Sequence, residues 1–199
     1  MNYYISDYHF SHYNVMAKFD KRPFNTTQEM DITMMKNWNN TVTDNDTVYI
    51  LGDFSWETQD GWKNRLNALH GKKVLIIGNH DYKRMKDARK LFEEVTPYKE
   101  IFDGGYKVIM CHYPILAYNK SYSENTFMLY GHVHNNTVES KVILDFINQL
   151  HILHKKNPFE YGNHGQLINV GCMMPYMNYT PQTIEYLANK FKAGETLNL

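Results

Sequence analysis

Apolar residues fall along the chain in two kinds of run. The blocks "YYIS", "TVYIL", "KVLII", "YKVIM", "FMLY" and "QLINV" are too short for helices, rich in β-branched and aromatic residues, and mostly without alternation. That is the pattern of strands buried on both faces. Between them the spacing becomes helical. Thr26 and Glu29 form a capping box ahead of Met30, Met34 and Trp38, and the turn "TDND" ends that helix. Gln59 to His70 reads as a second helix closed by Gly71, and Val142, Ile143, Phe146, Ile147, Leu150 and Leu153 stripe a third. Thr180 and Pro181 open a fourth, with Ile184, Leu187, Ala188 and Phe191 on one face and Gly194 as its stop. Helices and strands in alternation predict an α/β or α+β fold with layered helices. No repeat, low-complexity tract or linker divides the chain, so residues 1–199 are read as one domain.

The polar residues that follow the strand-like runs change the picture. "YYIS" runs into Asp7 and His9, "VYIL" into Gly52 and Asp53, and "VLII" into Gly78, Asn79, His80 and Asp81. "VIMC" ends at His112, and "FMLY" at Gly131, His132 and His134. Ligands of sheets covered by helices bind outside the carboxyl ends of the strands, so these side chains are expected on one shared edge. Glycine before the polar tip lets the backbone turn sharply. Imidazoles, an amide and carboxylates together suit Mn, Fe, Ni, Co or Zn better than Mg or Ca, which favour oxygen shells. Asp7, His9, Asp53, Asn79, His112, His132 and His134 are more donors than one tetrahedral ion uses. Two divalent ions sharing a carboxylate is the economical reading, and the net positive charge favours a phosphate.

Composition narrows the partners. Lys plus Arg balances Asp plus Glu at 21 each, which leaves no long-range field to gather duplex DNA or an anionic bilayer. No extended nucleic-acid surface is expected. Two cysteines, no signal-peptide pattern and no run of roughly 18 apolar residues make a cytoplasmic protein the default, with no membrane partner. At 43% hydrophobic residues the chain can bury a real core, and ten histidines exceed what an ordinary fold of 199 residues needs.

The blocks "DYH" at 7, "GD" at 52, "GNHD" at 78, "CH" at 111 and "GHVH" at 131 together resemble the calcineurin-like metallophosphoesterases, whose pattern is D-x-H, G-D, G-N-H-D/E, a lone H and G-H-x-H in that order. "SDYHFSHYN", "RPF" and "LGDFSW" are similar to small phage and bacterial members of that family; Ser6 stands where the family usually has glycine. The resemblance implies a four-layer αββα sandwich of two mixed sheets flanked by helices. It implies that Asp7, His9, Asp53 and His134 hold one metal and Asp53, Asn79, His112 and His132 the other, with Asp53 as the bridge. By the same resemblance His80 is the general acid, and an activated water attacks phosphorus in line. Asp81 either caps a following helix or orients a neighbour.

Single histidines at strand ends are usually turn residues; the ordered set carries the inference. His12 and Arg22 follow the first strand and are candidate contacts to a phosphate oxygen, Arg22 through bidentate geometry. His151 and His154 are better read as part of an amphipathic helix, and Cys111 as a strand residue. Tyr8, Tyr82 and Tyr113 flank motif residues and are placed to stack on a base. A helix and loop over 139–165 are expected to wall the pocket. "GDFSWET" lacks the G-D-x-x-D-R-G of the family's protein phosphatases. The favoured substrate is a small-molecule or nucleotide phosphodiester; the alternatives are a phosphomonoester and a non-catalytic module that keeps the fold.

Overall fold

The computed structural model describes residues 1–134, 137–157 and 165–197. One sheet contains β1 (Asn2–Ile5), β2 (Thr47–Ile50), β3 (Lys72–Ile76) and β4 (Glu94–Thr96) in that order, all parallel. The other contains β5 (Tyr98–Asp103), β6 (Tyr106–Cys111), β7 (Thr126–Tyr130) and β8 (Leu167–Asn169), with β5 antiparallel to β6 and the rest parallel. The second sheet is therefore mixed, as expected. The first runs parallel through its four strands, and Tyr4 meets Gln182 in an antiparallel bridge at its β1 edge.

Side-chain alternation sets the layers. Val108, Met110, Phe127, Leu129 and Ile168 of the second sheet share a core with Tyr4, Ile5, Val48, Ile50, Leu75 and Ile76 of the first. Their neighbours Ile109, Met128, Tyr130 and Leu167 point the other way, onto Ile143 and Ile147 of α3 (Val138–Lys156). Met30, Met34 and Trp38 of α1 (Thr27–Thr41) and Trp62 and Leu66 of α2 (Gln59–Ala68) are buried in the first core. Burying each such side chain contributes roughly 1.5–3 kcal/mol. Both strand faces are thus covered, which is why the strands read as continuous apolar blocks.

Helix ends follow their chemistry with two shifts from expectation. Thr26 Oγ1 accepts from Glu29 N at 3.1 Å, and the Glu29 carboxylate accepts from Asn25 N, one residue before the cap. Thr183, not Thr180 or Pro181, caps α4 (Ile184–Lys192) by accepting from Tyr186 N. Gln182 is held to β1 by two backbone hydrogen bonds with Tyr4, so the chain cannot turn helical before it. Helix α2 ends at Ala68 rather than His70, because Leu69 is already extended on the way to Gly71. Val142 lies on the exposed side of α3, outside its buried stripe.

Strands β4 and β5 have no counterpart among the apolar runs. β5 is a half-exposed edge strand carrying Lys99, Glu100 and Asp103, so it lacks the apolar block. Its hairpin to β6 turns at Gly104 and Gly105, both at positive φ, as a two-residue turn of the primed type requires.

Candidate metal centre

The strands deliver their polar tips to one edge, and backbone bonds between tips fix the geometry. Past its last strand residue β1 still pairs with β2: Asp7 N donates to Gly52 O, His9 N to Asp53 O and Phe10 N to Phe54 O. The two sheets join where His132 N donates to the Asp7 carboxylate at 3.0 Å, and β6 meets the β7 tip through Gly131 N to His112 O. Asp7, His9, Asp53 and His132 all adopt positive φ, between 48° and 67°. Such conformations cost non-glycine residues about 1–3 kcal/mol each and persist where surrounding bonds over-determine them. Here each of the four has its N–H committed to a neighbouring tip.

Close approach explains the glycines that precede these tips. A Cβ on Gly131 would lie 1.9 Å from Ser6 Oγ, so the bare backbone is what lets Ser6 stand where the family usually has glycine. Ser6 Oγ is 2.7 Å from both Asp7 Oδ2 and the Leu51 carbonyl, a hydroxyl used to brace a ligand. Gly52, at φ +86°, would push a Cβ into His112 Nδ1 at 2.5 Å.

Two groups of donors result. Asp7, His9 and His134 present ligand atoms within 4.8 Å of one another, and Asp53, His112 and His132 do the same. Asp53 Oδ2 lies between the groups, 3.6 Å from His9 Nε2 and 3.6 Å from His112 Nε2. Asn79 Oδ1 is 3.1 Å from His112 Nε2, which adds it to the second group. His9 Nε2 is buried and has no hydrogen-bond partner, an orphan that a cation would satisfy. Imidazole orientation is set from behind: His112 Nδ1 bonds the Leu51 carbonyl at 2.7 Å and His134 Nδ1 bonds Asp20 at 2.8 Å, leaving each Nε2 to the site. The donor set of each group is one that could hold a metal ion.

The titratable groups of the site are shifted in opposite directions. Burial pushes the Asp7 carboxyl up, whereas His112 and His9 hold Asp53 well below the carboxylate range despite its burial. Burial would lower His112, yet the Asp53 carboxylate beside it raises the imidazole to about 9. His9 has the opposite balance: desolvation drives it well below its ordinary value, so its ring is a neutral donor.

Supporting residues resolve several expectations. Asp81 orients its neighbours: its carboxylate accepts from Gly78 N at 2.8 Å, Asp53 N at 3.0 Å and Phe54 N at 3.1 Å, tying the two loops together. Its burial raises its pKa to about 6. Arg22 is not placed to touch a phosphate. Its side chain is fully buried, with donors spent on the Asp7 and Tyr8 carbonyls at 2.8 Å and on Asp20 at 2.9 Å. It holds the loop after β1 and, through Asp20, His134. His12 does lie beside the site, with Nδ1 3.4 Å from His9 Nδ1 and its ring stacked on Trp56 at 4.0 Å. Desolvation, then His80, Arg22 and Arg84, lower its pKa to about 4.

His80 is partly exposed at the rim, 5.9 Å from His9 and edge-on to Trp56 at 5.0 Å between ring centroids. Its backbone N–H donates to Asp53 Oδ1 at 3.0 Å, which ties its loop to the carboxylate between the two groups. Tyr8 is fully buried and unavailable to a base, while Tyr113 is exposed and packs 4.6 Å from the His132 ring. Pro114, His132, Val133, Val138 and Val142 line an apolar cavity of about 300 Å³, which brings the start of α3 beside His132. The loop expected at "NPFEYGNHG" falls on residues 158–164, outside the described ones. Sequence reasoning missed Asp20, Trp56 and Arg84. Asp20 reaches His134 across 114 residues, and no local pattern signals such a pair.

The chain belongs to the calcineurin-like phosphoesterase superfamily, whose domain model matches residues 3–188. The family assigns it metal-dependent phosphoester hydrolysis. It is 32% identical over 197 residues to the uncharacterized protein MJ1445 of Methanocaldococcus jannaschii, covering 98% of this chain and 93% of that one. It is 28% identical over 169 residues to the gene 66 protein of Mycobacterium phage L5, covering 71% and 81%. Among solved structures, the protein of unknown function AQ665 from Aquifex aeolicus matches with TM-score 0.60 and 26% identity, over 91% of this chain and 94% of that one. Among the described residues, no helix is long and apolar enough to cross a membrane.

Proposed function

We propose that the protein is a phosphodiesterase of a small or nucleotide phosphodiester, working with two divalent transition-metal ions. The observation that carries this reading is Asp53 Oδ2, which stands 3.6 Å from the Nε2 atoms of His9 and His112. One carboxylate oxygen serves both donor groups. Asp7, His9, His134 and Asp53 would hold one ion, and Asp53, Asn79, His112 and His132 the other. Such ions, when bound, would supply Lewis acidity toward the phosphoryl oxygens and lower the pKa of water toward neutrality. His80, outside both groups and open to solvent, gives its proton to the departing oxygen, which a poor alkoxide leaving group needs. Asp81, Asp20 and Arg22 act through the ligands that they position.

The diester preference rests on charge. A phosphomonoester dianion asks for cations beside the scissile phosphate, and Arg22, the cation the sequence offers as a phosphate contact, is buried and committed to the protein's own oxygens. Free thiols at Cys111 and Cys172 accord with a cytoplasmic setting. The test compares kcat/KM on bis-p-nitrophenyl phosphate and p-nitrophenyl phosphate with Mn supplied. A clear excess on the diester is expected; a clear excess on the monoester overturns the preference and promotes a phosphomonoesterase.

A further inference from the structure

Trp56 carries a group on each face at the rim of the centre. The His12 ring lies 4.0 Å from its centroid at 4° to its plane, and the Arg84 guanidinium carbon lies 3.8 Å from the same ring. Two groups at that height cannot share one face, so they sandwich the indole. His12 is the inner member, against the ligand His9; Arg84 is the outer one, two layers out. His80 packs on the same indole in a T-shaped contact, 5.0 Å between ring centroids.

Arg84 is a cation with unspent donors. Among the described residues its guanidinium has no hydrogen-bond or ion-pair partner, in contrast with Arg22 and Arg65, whose donors are all directed at protein acceptors. Stacking on Trp56 fixes its plane and lowers the entropy lost when it binds. Together with Trp56, Glu57, Thr58, Gln59 and Lys83 it lines a cleft of about 490 Å³. The acid in that cleft, Glu57, is paired with Arg65 at 2.6 Å, a cation it shares with Asp31, and the two cations Lys83 and Arg84 outweigh it.

We infer that Arg84 is a specificity-determining residue, binding a phosphate carried by the leaving half of the substrate. This rests on the phosphodiesterase reading with His80 as acid. The acid marks the leaving-group side of the site, and Arg84 extends from that side through Trp56. His12 and Trp56 separate Arg84 from His9, so it faces a group beyond the scissile phosphorus. The substrate class is then a diester or phosphoanhydride whose departing half bears its own phosphate, as in two nucleosides joined through a diphosphate. A planar guanidinium reads such a phosphate bidentately.

The test pairs two substrates on the Mn-loaded protein: P1,P2-diadenosine 5′-diphosphate, whose leaving half keeps a phosphate, and bis-p-nitrophenyl phosphate, whose leaving half has none. Arg84→Gln is expected to lower kcat/KM on the first at least tenfold more than on the second, and Arg84→Lys to recover part of the difference. Equal losses on both, with an unchanged melting curve, overturn the inference. Calorimetry with adenosine 5′-monophosphate and adenosine keeps the two readings apart. If the wild type hydrolyses neither substrate, the phosphodiesterase reading fails. The subsite then stands if Arg84→Gln weakens the monophosphate about tenfold and leaves adenosine unchanged, and falls if the monophosphate binds both proteins alike.

Discussion

The two donor groups at the sandwich edge are built differently. In the second, His112 is fixed by a strand-end carbonyl, Leu51 O, and Asp53 by the loop that Asp81 ties down. In the first, His134 is fixed by Asp20, which is itself fixed by Arg22, a relay of side chains on the long segment between β1 and α1. The second group inherits its geometry from strand ends and the loops beyond them, whereas the first takes Asp7 and His9 from the tip of β1 but His134 from a loop braced by buried charge. The loop-built group should therefore be the more easily perturbed without unfolding the protein.

The largest expected effect separates both groups from the chemistry. His80→Ala should keep the metal content of the wild type and lower kcat by roughly 10²–10⁴-fold, since the ring ligates neither ion in this account. The loss should shrink as the leaving group improves from alkoxide to nitrophenolate, which a leaving-group series on the purified variant would measure. Equal losses along the series would remove His80 as the acid.

Asp20→Ala should sharpen the contrast. Removing the partner of a ligating imidazole costs typically about 10–100-fold in metal affinity. Titration with Mn should show that weakening at one site and a second site close to wild type. Equal weakening at both would mean that the relay is not confined to the first group.

Asp81→Asn probes the sheet-built group. The carboxylate accepts three backbone N–H bonds, and an amide would turn its own N–H₂ toward one of those donors. A loss of about 1–3 kcal/mol is expected in denaturant unfolding of the metal-free protein. A variant as stable as the wild type would contradict the tying role.

The smallest effect concerns the outer brace. Glu57 is drawn below its ordinary 4.5 by Arg65 and Ser55 against the upward push of burial. A carboxylate with a lowered folded pKa contributes stability that is full above about 4.5 and is lost as pH falls through the folded value. Glu57→Gln should cost below about 1 kcal/mol near neutrality, and the gap from wild type should close on acidification. Thermal melts at pH 7 and at pH 3 would check the sign.

Much of this was legible in the sequence because its signals are local. Six apolar blocks gave six of the strands, and the ligand types at their ends needed only the rule that strand tips converge. β5 escaped because an edge strand covered on one side carries Lys99 and Glu100, and its signal was instead the Gly104–Gly105 turn. Arg22 was misjudged for the opposite reason. Near a candidate phosphate site an arginine reads as a contact, and only burial reveals that two backbone carbonyls and Asp20 had already taken its donors. The pairings that fix the ligands, Asp20 with His134 and Asp81 with the Asp53 loop, join distant segments and leave no periodic trace.

The central claim is that one carboxylate serves both groups, and metal content tests it most directly. Elemental analysis of wild-type protein purified with Mn should give two ions per chain, and Asp53→Ala should lose both, because Oδ2 faces His9 and His112 at the same 3.6 Å. An Asp53→Ala protein that still holds two ions per chain would contradict the shared centre.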